Sequence, residues 1–200
     1  MTIFGITSSI NGSIKGLYSE DSRFEQTIST IISIRKIFSD AYIILIDNSE
    51  ISEKHRSILE EKVNLFLHSG DDFGQKSKNE ANQMIYLIDA IKNIEYDLFY
   101  KISGRYLLTD NFDSKKHLEN EINFRKIPSW QVGNFCFYTT LYSFGKNKEK
   151  VMLESYQDVL INNYIDIEHG LCYILGDKIN EIDHLGVAGN IAPTGEFIEH

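Results

Sequence analysis

Four short apolar runs, at residues 2–9, 41–47, 64–68 and 97–103, are separated by three stretches with helical periodicity. This alternation constrains the fold more than any other feature. Strands joined through a helix must lie parallel, because a crossover has to carry the chain back to the edge at which each strand starts. The second run, "AYIILID", is almost wholly apolar, as in a strand covered on both faces. The pattern predicts a doubly wound α/β domain with a mainly parallel central sheet.

The helical stretches read in the same way. In "SRFEQTISTIISIRKIF" (22–38), Ser22 and Glu25 have capping-box spacing. Phe24, Ile28, Ile31, Ile32 and Phe38 recur at intervals that suit one helical face. "SEKHRSILEEKV" (52–63) is a more polar helix, and "KSKNEANQMIYLIDAIKNI" (76–94) turns Met84, Leu87, Ile88 and Ile91 inward. Beyond Asn111, "WQVGNFCFYTTLYSF" (130–144) reads as one or two strands. "NKEKVMLESYQDVLINNY" (147–164) and "IEHGLCYIL" (167–175) read as helices, and the Gly-rich tail as an ordered loop or plain connection. No repeat or composition break divides residues 1–200, so one domain is expected.

The chain carries a net charge of −9, and its overall field does not invite nucleic acid. An anion-binding site must therefore be a local basic cluster. Cys136 and Cys172 lie far apart in apolar surroundings, which suits buried free thiols in a reducing, cytoplasmic setting. The sequence has no Cys/His metal spacing, no basic region leading into a signal-peptide core, and no apolar run of the roughly 18 residues that span a bilayer.

In parallel α/β sheets, ligands bind beyond the carboxyl ends of the strands. Those ends are "TSSIN" (7–11), "DNSE" (47–50), "HSGDDFGQKSKN" (68–79) and "KISGR" (101–105). "SRFEQTISTIISIRKIFSDAYIILIDNSE", "KSKNEANQMIYLIDAI", "FYKISGRYLL" and "LGVAGNIAPTGEF" together resemble nucleotide-sugar-dependent glycosyltransferases of the GT-A fold. The resemblance implies a GT-A-like, Rossmann-type single domain and sugar transfer from a nucleotide-sugar donor to a glycan or other hydroxyl acceptor, as in polysaccharide biosynthesis. It makes residues 1–110 the donor half and 111–200 the acceptor half. It also implies that Asp47 and Thr7 contact the nucleoside. A turn-forming Asp-Asn-Ser and a strand-ending Thr explain the same residues without a ligand.

The chain departs from that family at one place. An Asp-x-Asp motif that holds a divalent metal is expected after the fourth strand, and Lys101, Ser103 and Arg105 stand there instead. Asp110 and Asp113 have the wrong spacing, and Asp71–Asp72 follow the third strand. No metal ligand is therefore assigned, although the family implies Mn²⁺ or Mg²⁺. Arg105 and Lys101 can supply fixed positive charge to the donor diphosphate, with Lys76 and Lys78 as auxiliaries and Gly104 allowing close approach. A structural ion pair of Arg105 with Asp97 or Glu95 is the competing explanation. Glu168, then Asp166, is the candidate base at the acceptor, and both also suit a helix N-terminus as dipole complement. His169 lies within the pKa range of a base, and His184 is the only position for a C-terminal His ligand. Two other functions fit the pattern. One is a nucleotidyltransferase, with Lys15 of "TSSINGSIKG" in a basic loop; the other is a non-catalytic nucleotide- or sugar-binding protein.

Overall fold

The computed structural model describes residues 1–11, 17–130, 135–191 and 194–200. Lys15 lies outside the described residues. Strands β1 (Thr2–Ser8), β2 (Tyr42–Asp47), β3 (Leu65–His68) and β4 (Leu98–Ser103) alternate with helices α1 (Glu20–Ile37), α2 (Glu53–Lys62) and α3 (Lys76–Ile91). The chain continues through β5 (Tyr106–Leu108), β6 (Ile122–Pro128), β7 (Phe135–Gly145), α4 (Glu149–Ile161) and α5 (Ile167–Leu175). It ends in β8 (Asn180–Glu181), β9 (Val187–Asn190) and β10 (Phe197–Glu199).

The main sheet has seven strands in the order β3-β2-β1-β4-β7-β6-β8. β3, β2, β1 and β4 run parallel. β7 is antiparallel to both β4 and β6, and β6 pairs in parallel with β8. One reversed strand inside a parallel sheet thus carries it across both halves of the chain. A second sheet, β10-β9-β5, is antiparallel.

Alternation along the central strands divides the interior into two cores. Ile3, Ile44, Ile46 and Phe99 face α3, α4 and α5, where Met84, Leu87, Met152, Tyr156 and Leu171 pack. Phe4, Ile6, Ile43, Leu45, Tyr100 and Ile102 face α1 and the small sheet, meeting Phe24, Ile28, Ile31, Ile34 and Val187. The two sets follow the period of two of a strand buried on both faces.

Several sequence expectations change. α1 begins at Glu20, and its N-cap is Ser19, whose hydroxyl accepts from the Ser22 amide at 3.2 Å. Ser22 therefore lies inside the helix. Ile32 is 58% exposed, and Thr27 and Thr30 take the inward positions beside Ile28, Ile31 and Ile34. The "INFRKIP" segment forms β6, which the sequence pattern did not resolve. The Gly-rich tail contains β9, with Ala188 paired to Leu107. Both cysteines are free thiols, but only Cys136 is buried, which pushes it up to about 12, whereas Cys172 is half-buried and not the core thiol expected. Among the described residues, no helix is long and apolar enough to cross a membrane.

Candidate functional site

The carboxyl ends of β1, β2, β3 and β4 meet at one edge, and polar side chains gather there. Asp47, the last residue of β2, is fully buried. Its Oδ2 accepts from Ser8 Oγ at 2.5 Å and from the Ile10 amide at 3.0 Å. Its Oδ1 accepts from the Ser49 amide at 2.7 Å and from the Ser49 hydroxyl. A carboxylate has about four lone-pair sites, and protein donors take them all. Asp47 thus ties the chain leaving β1 to the chain leaving β2. Gln83, on α3, adds a 2.6 Å bond from Nε2 to the Ser8 carbonyl. Thr7 is 6% exposed, and its carbonyl accepts from the Gly104 amide at 2.9 Å.

Two guanidinium groups face this clasp. Arg23, one turn into α1, donates to the Ser9 carbonyl at 2.6 Å. Burial, and then the nearby Arg105, hold Arg23 below the usual arginine range, and Asp47 opposes them. Arg105 follows β4 with its guanidinium carbon 5.4 Å from the centroid of the Tyr106 ring. Asp97, at the far end of β4, pairs with the N-terminal amine, so it is not the partner of Arg105. The Nε of Arg105 is buried and makes no hydrogen bond among the described residues. Asn48 Oδ1, just beyond β2, and Ser69 Oγ, just beyond β3, are likewise buried without a partner among the described residues. Buried polar atoms are seldom left unsatisfied, and these three lie just past the ends of β2, β3 and β4 on the parallel side of the sheet, while a fourth, Arg125 Nη1, belongs to β6.

Tight backbone packing sets the position of Arg105. A Cβ on Gly104 would lie 3.1 Å from Thr27 Oγ1 and 3.2 Å from Ser8 Cβ, so this glycine makes room for α1 and β1. Thr27 Oγ1 donates to the Gly104 carbonyl at 3.0 Å. A Cβ on Gly189 would lie 2.5 Å from the Arg105 carbonyl oxygen. The tail strand β9 therefore presses directly on the turn that carries Arg105.

Lys101 lies deeper. Its ammonium is fully buried and pairs with Glu80 on α3, and it also donates to Ser103 Oγ at 3.0 Å and the Thr139 carbonyl at 2.8 Å. All three of its donors are used inside the protein. Burial pushes Glu80 up, but Lys101 and then Lys76 more than offset this, so Glu80 stays below its usual range and ionised. Glu168, in the first turn of α5, accepts from Thr139 Oγ1 at 2.9 Å. Burial, followed by the charge of Glu80, raises Glu168 above the usual carboxylate range. A carboxylate held so is more basic than one in water.

Asp166 is the N-cap of α5. Its Oδ1 accepts from the His169 amide at 2.8 Å and from His169 Nδ1 at 2.6 Å. Ser129 Oγ lies 2.7 Å from His169 Nε2. Trp130 meets the imidazole edge-on, with ring centroids 5.2 Å apart.

The structure thus brings together Thr7, Asp47 and Arg105 at the strand ends, and Lys101 and Glu168 around Glu80 and Thr139. Lys78 makes no ion pair among the described residues, whereas Lys76 acts electrostatically on Glu80, Lys101 and Glu168. His184 Nδ1 accepts from the Gly186 amide at 3.0 Å, in the turn before β9. Sequence reasoning missed Arg23, Glu80, Asn48 and Ser69. Arg23 carried a signal: it stands one turn into a helix, where the dipole favours anions. Glu80, Asn79, Asn82 and Gln83 carried another, as a polar cluster at the start of an amphipathic helix; all four are buried.

The donor set does not suit the divalent metal that the family resemblance implies. Asp110 pairs with Lys36 and Asp113 caps the turn at Lys115. Asp71 accepts from Asn82 and Asp72 from Asn79. Among the described residues no group of three or more His, Cys, Asp or Glu is placed to hold a metal ion.

No protein family and no curated protein matches the chain in sequence. Solved structures match in fold. A nucleoside-diphosphate-sugar pyrophosphorylase from Vibrio cholerae RC9 superposes with a TM-score of 0.57 at 10% identity, over 94% of this chain and 95% of its own. The glycosyltransferase GlyE of Streptococcus pneumoniae TIGR4 gives 0.55 at 10% identity, over 90% of this chain and 45% of its own. A glycosyltransferase involved in glycosylation of the major capsid of PBCV-1 gives 0.52 at 4% identity, over 88% and 74%. The chain has the GT-A-like, Rossmann-type α/β fold found in these transferases.

Proposed function

We propose that this chain transfers a glycosyl group from a nucleotide-sugar donor to a hydroxyl acceptor on a glycan. The observation that carries this reading is the convergence of Arg23 and Arg105 on the carboxyl edge, with Arg105 Nε buried and unpaired among the described residues. When the glycosidic bond breaks, the departing diphosphate gains negative charge, and fixed cations nearby stabilise it. Arg105 bonds the phosphate oxygens as a planar fork and Arg23 adds charge beside it, with Lys76 and Lys78 at the start of α3 as auxiliary cations. Asn48 Oδ1 and Ser69 Oγ supply an acceptor and a hydroxyl for the nucleoside. Asp47 and Thr7 brace the strand ends that carry these atoms, and Lys101 sets the position of Glu80. Glu168 takes the proton of the acceptor hydroxyl, and Asp166 orders the start of α5. In this reading residues 1–110 hold the donor and 111–200 the acceptor.

Transfer of a nucleotidyl group is the second reading. It draws on the bond from Arg23 to the Ser9 carbonyl, which braces the chain leaving β1 as a phosphate-binding loop would require. Calorimetric titration with nucleoside diphosphates tests the site. Arg105→Ala should weaken binding by about 1.5–3 kcal/mol, with Arg105→Lys recovering part of it and the denaturant midpoint unchanged. Unchanged affinity with a lowered midpoint would mean that Arg105 serves the fold. Incubation with nucleotide sugars then separates the activities. Release of nucleoside diphosphate supports sugar transfer, and pyrophosphate-dependent release of nucleoside triphosphate supports nucleotidyl transfer. Binding without turnover of any donor supports a binding protein.

A further inference from the structure

Next to Glu168, the start of α5 presents a surface that the donor reading does not use. His169, Cys172 and Tyr173 share one helical face by their i, i+3, i+4 spacing. Cys172 Sγ touches the Phe135 carbonyl at 3.6 Å, and Trp130 stands edge-on to His169. Trp130, Phe135 and Tyr173 are 54%, 56% and 81% exposed, an unusual display of aromatic surface around one short helix. Amid these rings lies a polar pair with a defined orientation. Asp166 Oδ1 accepts a hydrogen bond from Nδ1 of His169, so Nε2 is turned to a hydroxyl, here that of Ser129.

We propose that Trp130 and His169 form a subsite for a neutral pyranose, the sugar ring that carries or adjoins the accepting hydroxyl. Two features of the site match the chemistry of such a ring. One side of a pyranose is a patch of C–H groups that lies against an aromatic face, and Trp offers the largest such face. The rim of the ring is hydroxyls, and His169 Nε2 already holds a hydroxyl oxygen at 2.7 Å. A sugar hydroxyl can take the place of Ser129 Oγ or bond to it. Asp166 orients the imidazole and does not touch the sugar. His169 and Glu168 both belong to the first turn of α5, so a sugar held at His169 lies at the same end of the helix as the proposed base. The ligand's role as acceptor rests on the sugar-transfer reading, but its binding does not.

Saturation-transfer NMR tests the subsite with maltose, lactose, cellobiose and N,N′-diacetylchitobiose, each titrated to about 50 mM, a range suited to weak binding. The wild type should bind at least one of them. Trp130→Ala should abolish the signal, and Trp130→Phe should keep affinity within about threefold because an aromatic face remains. His169→Ala should weaken binding about tenfold, the loss of one good hydrogen bond. Nucleoside diphosphate affinity, measured on the same variants, should stay at the wild-type value, which also shows that they are folded. Absence of binding by the wild type, or equal binding by Trp130→Ala and His169→Ala, would overturn the proposal. Disaccharide binding in a protein that takes no nucleoside diphosphate would uphold the subsite and remove the sugar-transfer reading.

Discussion

His117 shows how a single buried side chain links the fold to pH. It is 4% exposed, its Nδ1 meets Ser143 Oγ at 2.7 Å, and its ring lies 4.8 Å from that of Tyr100. Burial holds it down to about 4, with Asp113 opposing. The unfolded chain, with His near 6.5, therefore binds the proton that the native state refuses. Between pH 6.5 and 4 the unfolded state carries more protons, so stability falls as pH falls. The loss is about 3 kcal/mol across the window at 1.36 kcal/mol per unit. Denaturant melts at pH 7, 6, 5 and 4 should show this slope, and His117→Phe should flatten it. A slope unchanged in the variant would assign the effect to other groups.

At the scale of elements, two contacts decide where helices begin and how they dock. The amide of Ser22 is satisfied by Ser19, so Ser19→Ala should cost about 1 kcal/mol. Ser22→Ala should stay within about 0.5 kcal/mol, as for a surface position. Equal losses, compared by chemical melts, would restore Ser22 as the cap. The Lys101–Glu80 pair joins β4 to α3 inside the protein. Lys101→Met strands a buried carboxylate and should cost about 3–5 kcal/mol. Lys101→Met combined with Glu80→Gln removes both charges and should recover most of that loss. Additive losses in the double variant, read by the same melts, would mean that the pair is not coupled.

For the whole molecule, one seven-stranded sheet separates two cores, and β1, β2, β4 and β7 each contribute to both. Unfolding one face strips the other of its support. Ile6→Ala and Leu87→Ala, on opposite faces, should each cost about 2–5 kcal/mol. Both should still unfold in one transition with an unchanged denaturant slope. Two separable transitions would show that the faces are independent.

The alternation of periods was enough to read β1 to β4 with α1 to α3, and also α4 and α5, because each period is a local property of consecutive side chains. The inward set Met84, Leu87, Ile88 and Ile91 was legible for that reason. β6 was not, since "INFRKIP" alternates weakly and gains its meaning only beside β7. β9 was hidden likewise, for a run of Val-Ala-Gly-Asn becomes a strand only where Leu107 offers it a ladder. At the site, Arg105 was visible as a basic residue ending an apolar run. The turn from Asp47 to Ser49 was legible as Asp-Asn-Ser, but the bonds from Ser8 and Ile10 that complete the saturation of Asp47 were not, nor was the burial of Lys101 on Glu80. Those partners lie 21 to 39 residues away for Glu80 and Ser8. Hydrogen bonds between segments so distant are decided by how the strands register, which no local pattern encodes.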